Sequence, residues 1–422
     1  MPKSQVAILQ TSPASVRRDY HELMNLAGYQ QVVDKTRDTA LKINISWHLF
    51  FPGSSTTPWQ LDGVINAMKR DGYDPGLIHG CHNRTVVIDA HLGERENKQI
   101  DVVEAHGLRN LHLYEDEDWI PIREAVGDLA EKFLVLNDVY PKGFQIPRRF
   151  VGENIIHLPT IKTHIFTTTT GAMKNAFGGL LNERRHWTHP VIHETLCDLL
   201  MIQKKIHPGL FAVMDGTFAG DGPGPRCMIP YVKNVILASA DQVAIDAVAA
   251  KLMGFNPLDI KFIRTAHDLG LGCGDPGEIE IVGDASAAEQ NWNFIGPTKE
   301  NLTFAARMQH EIYWGRLKNV VEWSLKTWLA PWSYLASVTY HDLYWYPRNG
   351  NDKVFEVLQS DWGRLFHNWQ SLVPGDEGFS ELGDPPYSVP RQTGDLLKLG
   401  VRILGTAVKE APEFQARLRS RL

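Results

Sequence analysis

The first two-thirds of the chain alternate short apolar runs with stretches of helical periodicity, and this alternation limits the fold more than any other feature. Continuous apolar runs such as Gly209–Asp215 and Asn234–Ala240 are typical of strands that are buried on both faces of a sheet. Helical patterns accompany them, as in Val191–Ile206 and Gln242–Met253. Strands that alternate with helices predict an α/β fold with a mainly parallel sheet and helices on both of its faces.

The same patterns predict further elements before residue 290. The predicted strands are Gln5–Gln10, Ala40–Ser46, Thr85–Ala90, Leu111–Glu115, Phe133–Asn137 and Glu278–Val282, and the predicted helices are Gly171–Leu180 and Leu258–Leu269. Composition then changes, because seven of the twelve tryptophans lie beyond residue 290. We therefore divide the chain into an α/β core, residues 1–290, and a helical, aromatic-rich extension, residues 291–422.

The extension has two interpretations. Its patterning predicts helices over Leu302–Leu335 and Gly394–Lys409. The favoured interpretation is that its aromatic side chains pack on the α/β core. The alternative is a surface for the membrane boundary, where Trp and Tyr are often found beside Arg and Lys.

Charge and cysteine content exclude several classes of protein. The formal net charge is −6, and the acidic stretch Glu115–Asp118 also disfavours nucleic-acid binding. The four cysteines are far apart and form no Cys-x-x-Cys pair, so neither a disulfide framework nor a cysteine-rich metal or iron–sulfur site is predicted. No signal peptide and no membrane-spanning run is recognised. We expect a cytoplasmic protein, with attachment to a membrane surface as the alternative, and leave its oligomeric state open.

The sequence does not identify a cofactor. The letters of Gly272–Gly277 match the dinucleotide-binding fingerprint, but this segment follows a predicted helix and enters a strand, which is the reverse of what that fingerprint requires. His189, His193 and Glu194 have spacing that suits a metal on a helix face, although the order of a known metal motif is missing. No metal site is therefore predicted.

The segment Ile155–Gly179 carries the strongest chemical signal. Lys162 and His164 lie two positions apart at a predicted strand end, so their side chains share a face. A threonine-rich turn then leads into a helix whose first N–H groups and dipole suit an anion. A neighbouring ammonium favours neutral histidine, which can exchange protons near neutral pH. The candidate catalytic residues are Lys162, His164, Lys174 and Asn175, with Thr170 and Gly171 as substrate-binding residues.

Other strand ends are predicted to meet this segment. Lys42 and Asn44 alternate along an early strand, and Asp215 and Asp241 each end a later one. In open parallel sheets, ligands bind beyond the carboxyl ends of the strands. All four are therefore candidate substrate-binding residues, although Asp241 also suits the N-cap of the following helix. His186 and His189 are candidates for a second acid–base pair.

Several blocks, in this order, resemble the domain of unknown function 362 family. They are Lys42-Ile43-Asn44, Lys162-Thr163-His164, the run Gly171–Gly178, Asp215-Gly216 and the run Ala238–Asp246. The resemblance covers roughly residues 35–285 and leaves out the tryptophan-rich extension. Many members of the family carry a ferredoxin-like iron–sulfur module. This sequence lacks the clustered cysteines for such a module, and the resemblance implies no settled activity.

Three functions remain open on the sequence. The first is an enzyme of the isomerase, epimerase or lyase type, which acts on a small or amphipathic anion by Lys/His acid–base chemistry. The second is an oxidoreductase with a borrowed flavin, metal or external iron–sulfur donor. The third is a membrane-peripheral binding or accessory protein. The expected partner is a small anionic molecule, and nucleic acid is not expected.

Overall fold

A ten-stranded mixed sheet forms the centre of the protein. The computed structural model describes residues 4–83, 85, 87–325, 332–367 and 369. The strands are β1 Gln5–Gln10, β2 Thr39–Ile43, β3 Ile78–His82, β4 Arg109–His112, β5 Trp119–Pro121, β6 Gln145–Pro147, β7 Asn154–Leu158, β8 Thr160–His164, β9 Thr168–Thr170, β10 Leu210–Asp221, β11 Ile229–Ser239 and β12 Glu280–Gly283. Strands β5 and β6 pair separately from the other ten.

The order of the main sheet is β12-β1-β11-β10-β7-β2-β3-β4, and β8 pairs with both β10 and β9. Pairing is parallel between β1 and β12 and through the run β10-β7-β2-β3-β4. It is antiparallel where β11 lies between β1 and β10, and where β9 folds back on β8. The predicted fold class, an α/β fold with a mainly parallel sheet, is therefore confirmed.

Helices cover both faces of the sheet. They are α1 Val16–Leu26, α2 Tyr29–Val32, α3 Pro58–Arg70, α4 Ala90–Glu96, α5 Gln99–Ala105, α6 Ile122–Val126, α7 Leu136–Val139, α8 Ala172–Asn175, α9 Phe177–Leu180, α10 Ile192–Ile206, α11 Gln242–Met253, α12 Lys261–Asp268, α13 Ala285–Ala288, α14 Phe304–Tyr313, α15 Lys318–Leu325, α16 Trp332–Ser337, α17 Asn351–Leu358 and α18 Asp361–His367, with a π-helical segment at Val338–Gly350. Alternate residues of β1 enter two different apolar cores, one packed with α10, α11 and α12 and the other with α1 and α3. Among the described helices, none is long and apolar enough to cross a bilayer.

Two predicted strands are wrong, and in both places a carboxylate organises the backbone instead. The segment Thr85–Ala90 is a turn that leads into α4, because the Asp89 side chain caps that helix by accepting the N–H of Leu92. The segment Phe133–Asn137 enters the short helix α7. There the Asp198 carboxylate accepts the consecutive N–H groups of residues 134–136.

The region after residue 290 packs on the α/β core through aromatic side chains. Trp345 and Trp362 are buried, and they contact Trp47 and Trp59 of the core. The Asp342 carboxylate accepts the indole N–H of Trp47 at 2.6 Å. The predicted helix Leu302–Leu335 is interrupted between α14 and α15, and residues 326–331 lie outside the described residues. The predicted helix Gly394–Lys409 lies outside the described residues.

Candidate functional site

A cavity of about 540 Å³ lies between the carboxyl ends of β2, β3 and β8 and the helices α14 to α16. The sheet side provides polar residues, among them Lys42, His82 and His164, each at or next to the end of its strand. The helical side provides mainly apolar and aromatic residues, among them Met308 and Tyr313. The cavity therefore has a polar floor and an apolar roof, which matches a ligand with one polar end.

The floor is cationic. Lys42, Lys174, Arg185 and Arg226 line the cavity, and none of the described residues that line it is Asp or Glu. Lys42 is almost fully buried, and its ammonium donates to the backbone oxygen of Ile43 at 2.5 Å. Positive groups that are gathered in a partly desolvated space favour an anion, because carboxylate and phosphate oxygens accept charge-assisted hydrogen bonds from them.

The lysines at the floor lose their protons more easily than lysines in water do. Burial lowers the pKa of Lys42 to about 8, and the nearby Arg185 guanidinium acts in the same direction. Burial, followed by the charge of Arg185, also lowers the pKa of Lys174 to about 8. An anion bound between the two would favour their charged form.

Two histidines at the cavity hold their protons on different atoms. The Nδ1 atom of His164 accepts the backbone N–H of Phe166 at 3.2 Å, so the neutral ring carries its proton on Nε2. The Nδ1 atom of His189 lies 2.9 Å from the backbone oxygen of His186 and donates to it, which leaves Nε2 as an acceptor. Both rings pack against Phe166.

Both histidines are neutral at physiological pH. Burial and the Lys174 ammonium hold the pKa of His164 well below its usual value. Burial likewise lowers the pKa of His189 to about 3, although the hydrogen bond to His186 opposes this shift. The cavity thus combines one imidazole that can donate a hydrogen bond from Nε2 with another whose Nε2 can accept a proton.

Two predicted asparagines line the cavity and also hold its backbone in place. Asn175 donates to the backbone oxygen of Lys42 at 2.8 Å, and this bond joins α8 to the end of β2. Asn44 donates to the backbone oxygen of Ser54 at 3.1 Å and accepts the hydroxyl of Ser46. Their contacts fix the positions of Lys174 and Lys42 at the floor.

Other predicted site residues lie outside the cavity lining. Lys162 is buried behind the floor, and its ammonium donates to the Thr160 hydroxyl at 2.6 Å. Burial and the charge of Lys174 lower the pKa of Lys162 to about 7. Thr170 pairs with Lys162 across β8 and β9. Asp215 accepts the side chains of Tyr20, Thr57 and Trp59 within a core, and Asp241 caps α11 by accepting two of its N–H groups.

The predicted anion position at the start of the helix after Gly171 is already taken by the protein. The Asp246 carboxylate, from α11, accepts the N–H of Ala172 at 2.6 Å and that of Met173 at 3.1 Å. A side chain at Gly171 would overlap this carboxylate, so glycine is required there. The expectation that this helix end binds a ligand is therefore wrong, and the positive charge at the cavity comes from side chains.

Sequence reasoning missed His82, Arg185, Arg226 and the whole apolar roof. His82 ends β3 next to Lys42 in the sheet, so its position at a strand end was a signal that could have found it. Two groups of described residues have metal-ligand composition, His82 with Glu94 and His112, and His91 with His112 and Glu115. The spacing of His189, His193 and Glu194 does not produce a third.

Known proteins resemble parts of the chain. A thylakoid-associated protein of Synechocystis sp. is 30% identical over 121 residues, which are 28% of this chain and 37% of that protein. The chain therefore spans little more than a third of this relative's length. A crystal structure of a Thermotoga maritima protein is 11% identical, with a TM-score of 0.31 over 53% of this chain and 55% of that one. The model of the domain of unknown function family DUF362 matches residues 39–251, about half of the chain, and the protein belongs to that family.

Proposed function

We propose that the protein is an enzyme that binds an amphipathic anion and moves a proton on it, as an isomerase, an epimerase or a lyase does. The observation that carries this proposal is the pairing of a cationic floor, with no acidic residue among the described lining, with two neutral histidines of complementary tautomer. The anionic group binds at Lys42 and Lys174, and the apolar part of the ligand lies against the roof.

The floor does two things in this mechanism. Each charge-assisted hydrogen bond to a ligand oxygen contributes about 1.5–3 kcal/mol, which orients the anion. Lys174 also stabilises negative charge that develops on the ligand when a neighbouring proton is removed. Because Lys42 is almost fully buried and Lys174 is partly buried, little water competes for them once the ligand is bound.

Proton transfer uses the two histidines in opposite roles. His189 accepts a proton from the ligand at Nε2 and later returns it, while the neutral His164 ring keeps its Nε2 proton and donates a hydrogen bond to the negative charge that develops on the ligand. If the proton returns to the other face of the same carbon, the reaction is an epimerisation. If it goes to a neighbouring atom, the reaction is an isomerisation, and if it goes to a leaving group, the reaction is an elimination.

Solvent exchange tests this mechanism without knowledge of the product. The full chain is incubated in D2O with a panel of amphipathic carboxylates and phosphate esters, and NMR detects deuterium in the ligand. His164→Asn and His189→Asn remove Nε2, while the asparagine side chain can still make the hydrogen bond that Nδ1 makes in the wild type. We expect each to lower the exchange rate at least about 100-fold and to leave binding almost unchanged.

His193→Asn is the matched control, because His193 does not line the cavity, and this variant should exchange like the wild type. The mechanism would be abandoned if a bound ligand exchanged as fast in both cavity variants as in the wild type.

A second candidate function is attachment to a membrane surface. Trp323, Phe304 and Trp314 are 61%, 64% and 45% exposed, and Phe304 also lines the cavity, so the apolar roof continues onto the surface. The relative from Synechocystis sp. is described as thylakoid-associated. In this function the protein would take its ligand directly from a lipid phase.

We expect the double variant Trp314→Ala and Trp323→Ala to co-sediment with lipid vesicles several-fold less than the wild type does. The reason is that each substitution removes an exposed aromatic ring that would enter the interface. Val151→Ala serves as the control, because Val151 lies on the α/β core and is itself 44% exposed. Equal sedimentation of all three proteins would remove this surface from consideration.

A further inference from the structure

We propose that His82, Glu94 and His112 form a binding site for one divalent transition-metal ion at the edge of the cavity. The parallel sheet itself brings two of the ligands together. His82 ends β3, His112 ends β4, and the two are register partners in this pair of strands. Glu94 comes from α4, which follows β3 in the chain, and its carboxylate also accepts the side-chain N–H of Asn110 on β4 at 2.7 Å.

The three side chains converge on one point. The Glu94 Oε2 atom lies 2.7 Å from His82 Nε2 and 3.1 Å from His112 Nε2. The ligand atoms of the three residues all lie within 4.8 Å of one another. A tetrahedral ion with bonds of about 2.0–2.1 Å holds its ligand atoms about 3.3 Å apart, so the groups need to move outward by only a few tenths of an ångström.

The composition of the group fits a transition metal. Two imidazole nitrogens and one carboxylate suit Zn²⁺ and its neighbours in the first row, whereas Mg²⁺ and Ca²⁺ prefer oxygen ligands alone. Glu94 is almost fully buried, and its charged partners among the described residues are all histidines, with no Lys or Arg. His91 and Asn110 also contact this buried carboxylate, and a divalent ion would bind it in its charged form.

A second layer of ligand-type residues surrounds the group and leads to solvent. His91 lies with Nδ1 3.6 Å from Glu94 Oε1, and its Nε2 atom is 3.1 Å from Glu115. His91 and Glu115 are both partly exposed, which gives an ion a path to the buried ligands. On the other side, His82 lines the cavity, so an ion bound to it would fix the orientation of a ring that a cavity ligand touches.

Metal titration tests the site without any substrate, and its result is independent of the proposed enzymatic function. The full chain is treated with a chelator and titrated with Co²⁺, which is followed by its visible d–d absorption, and with Zn²⁺, which is followed by calorimetry. We expect saturation at one ion per chain, with intense Co²⁺ bands from a site of low coordination number.

Glu94→Gln keeps the shape of the side chain and removes its charge, and His112→Asn removes the half-buried ligand. Each should weaken binding at least about 100-fold, while His193→Asn, beside the carboxylate of Glu194 on α10, should bind like the wild type. Circular dichroism checks folding, and if Glu94→Gln does not fold, His112→Asn decides the result. Absence of saturable binding by the wild type, or unchanged binding by a folded ligand variant, would overturn the proposal and leave Glu94 as a hydrogen-bond acceptor for the two rings.

Discussion

A Lys174→Met variant is expected to bind an amphipathic anion such as decanoate about a thousand-fold more weakly than the wild type at pH 7. Methionine keeps the length of the side chain but removes the charge, and loss of one partner from a desolvated charge pair costs about 2–5 kcal/mol. Lys174 packs its ammonium 5.3 Å from the centre of the Phe177 ring, so its position does not depend on the ligand. Calorimetry with decanoate measures the loss.

The affinity of the wild type should fall as the pH rises. The pKa values of Lys42 and Lys174 are both lowered to about 8, so both groups are charged below that pH and become neutral above it. The carboxylate of decanoate stays ionised throughout. Binding should therefore be nearly constant below about pH 7 and should weaken by up to about ten-fold per pH unit for each lysine above pH 8. Near pH 8 binding should also take up protons, which appears as an enthalpy that depends on the buffer.

Lys204→Met is the control for both measurements, because Lys204 is exposed on α10 and away from the cavity. This variant should follow the wild type at every pH. Binding of decanoate by Lys174→Met at wild-type strength, or a flat affinity from pH 7 to well above pH 8, would show that the anion does not contact these lysines.

Replacement of Asp246 by alanine is expected to lower the free energy of unfolding by about 3 kcal/mol. The substitution leaves the backbone N–H groups of Ala172 and Met173 buried without the acceptor that they now have, at about 1–3 kcal/mol for each group. Because α8 carries Lys174 and Asn175, anion binding should be lost as well. Urea denaturation of the full chain gives the change in stability.

Two further variants separate the hydrogen bonds of Asp246 from a general effect of mutation. Asp246→Asn keeps one acceptor oxygen and should lose about half as much stability. Asp268→Ala, at an exposed site at the end of α12, should be nearly neutral. If Asp246→Ala unfolds at the same urea concentration as Asp268→Ala, then the cap on α8 does not hold that helix.

Much of the floor of the site could be predicted because the ends of strands can be recognised in a sequence. Lys42 and His164 come at or next to the carboxyl ends of their strands, and parallel pairing places such ends at one edge of the sheet. Lys174 follows within one short connection. The alternation of strands and helices could also be recognised in the sequence, and it predicted the fold class.

Two errors in the site share a physical cause, which is contact between residues that are far apart in the chain. Asp246 lies 74 residues from Ala172, so no local pattern indicates that its carboxylate takes the helix end proposed for a ligand. Asp215 ends an apolar run as predicted, yet its hydrogen bonds to Tyr20 and Trp59 bind it into a core. A period of two along a strand does not reveal which of its faces meets the cavity.

The cavity joins two parts of the chain, and the family model matches only the first of them. Its cations, Lys42, Lys174, Arg185 and Arg226, all fall within the range that the family model matches, whereas the roof, from Phe304 to His341, falls outside it. In the proposed function, recognition of the charged end of the ligand and selection of its apolar end therefore depend on separate parts of the chain. A chimaera that keeps residues 39–251 and receives another roof should still bind anions, but the apolar groups that it accepts should differ in length or shape.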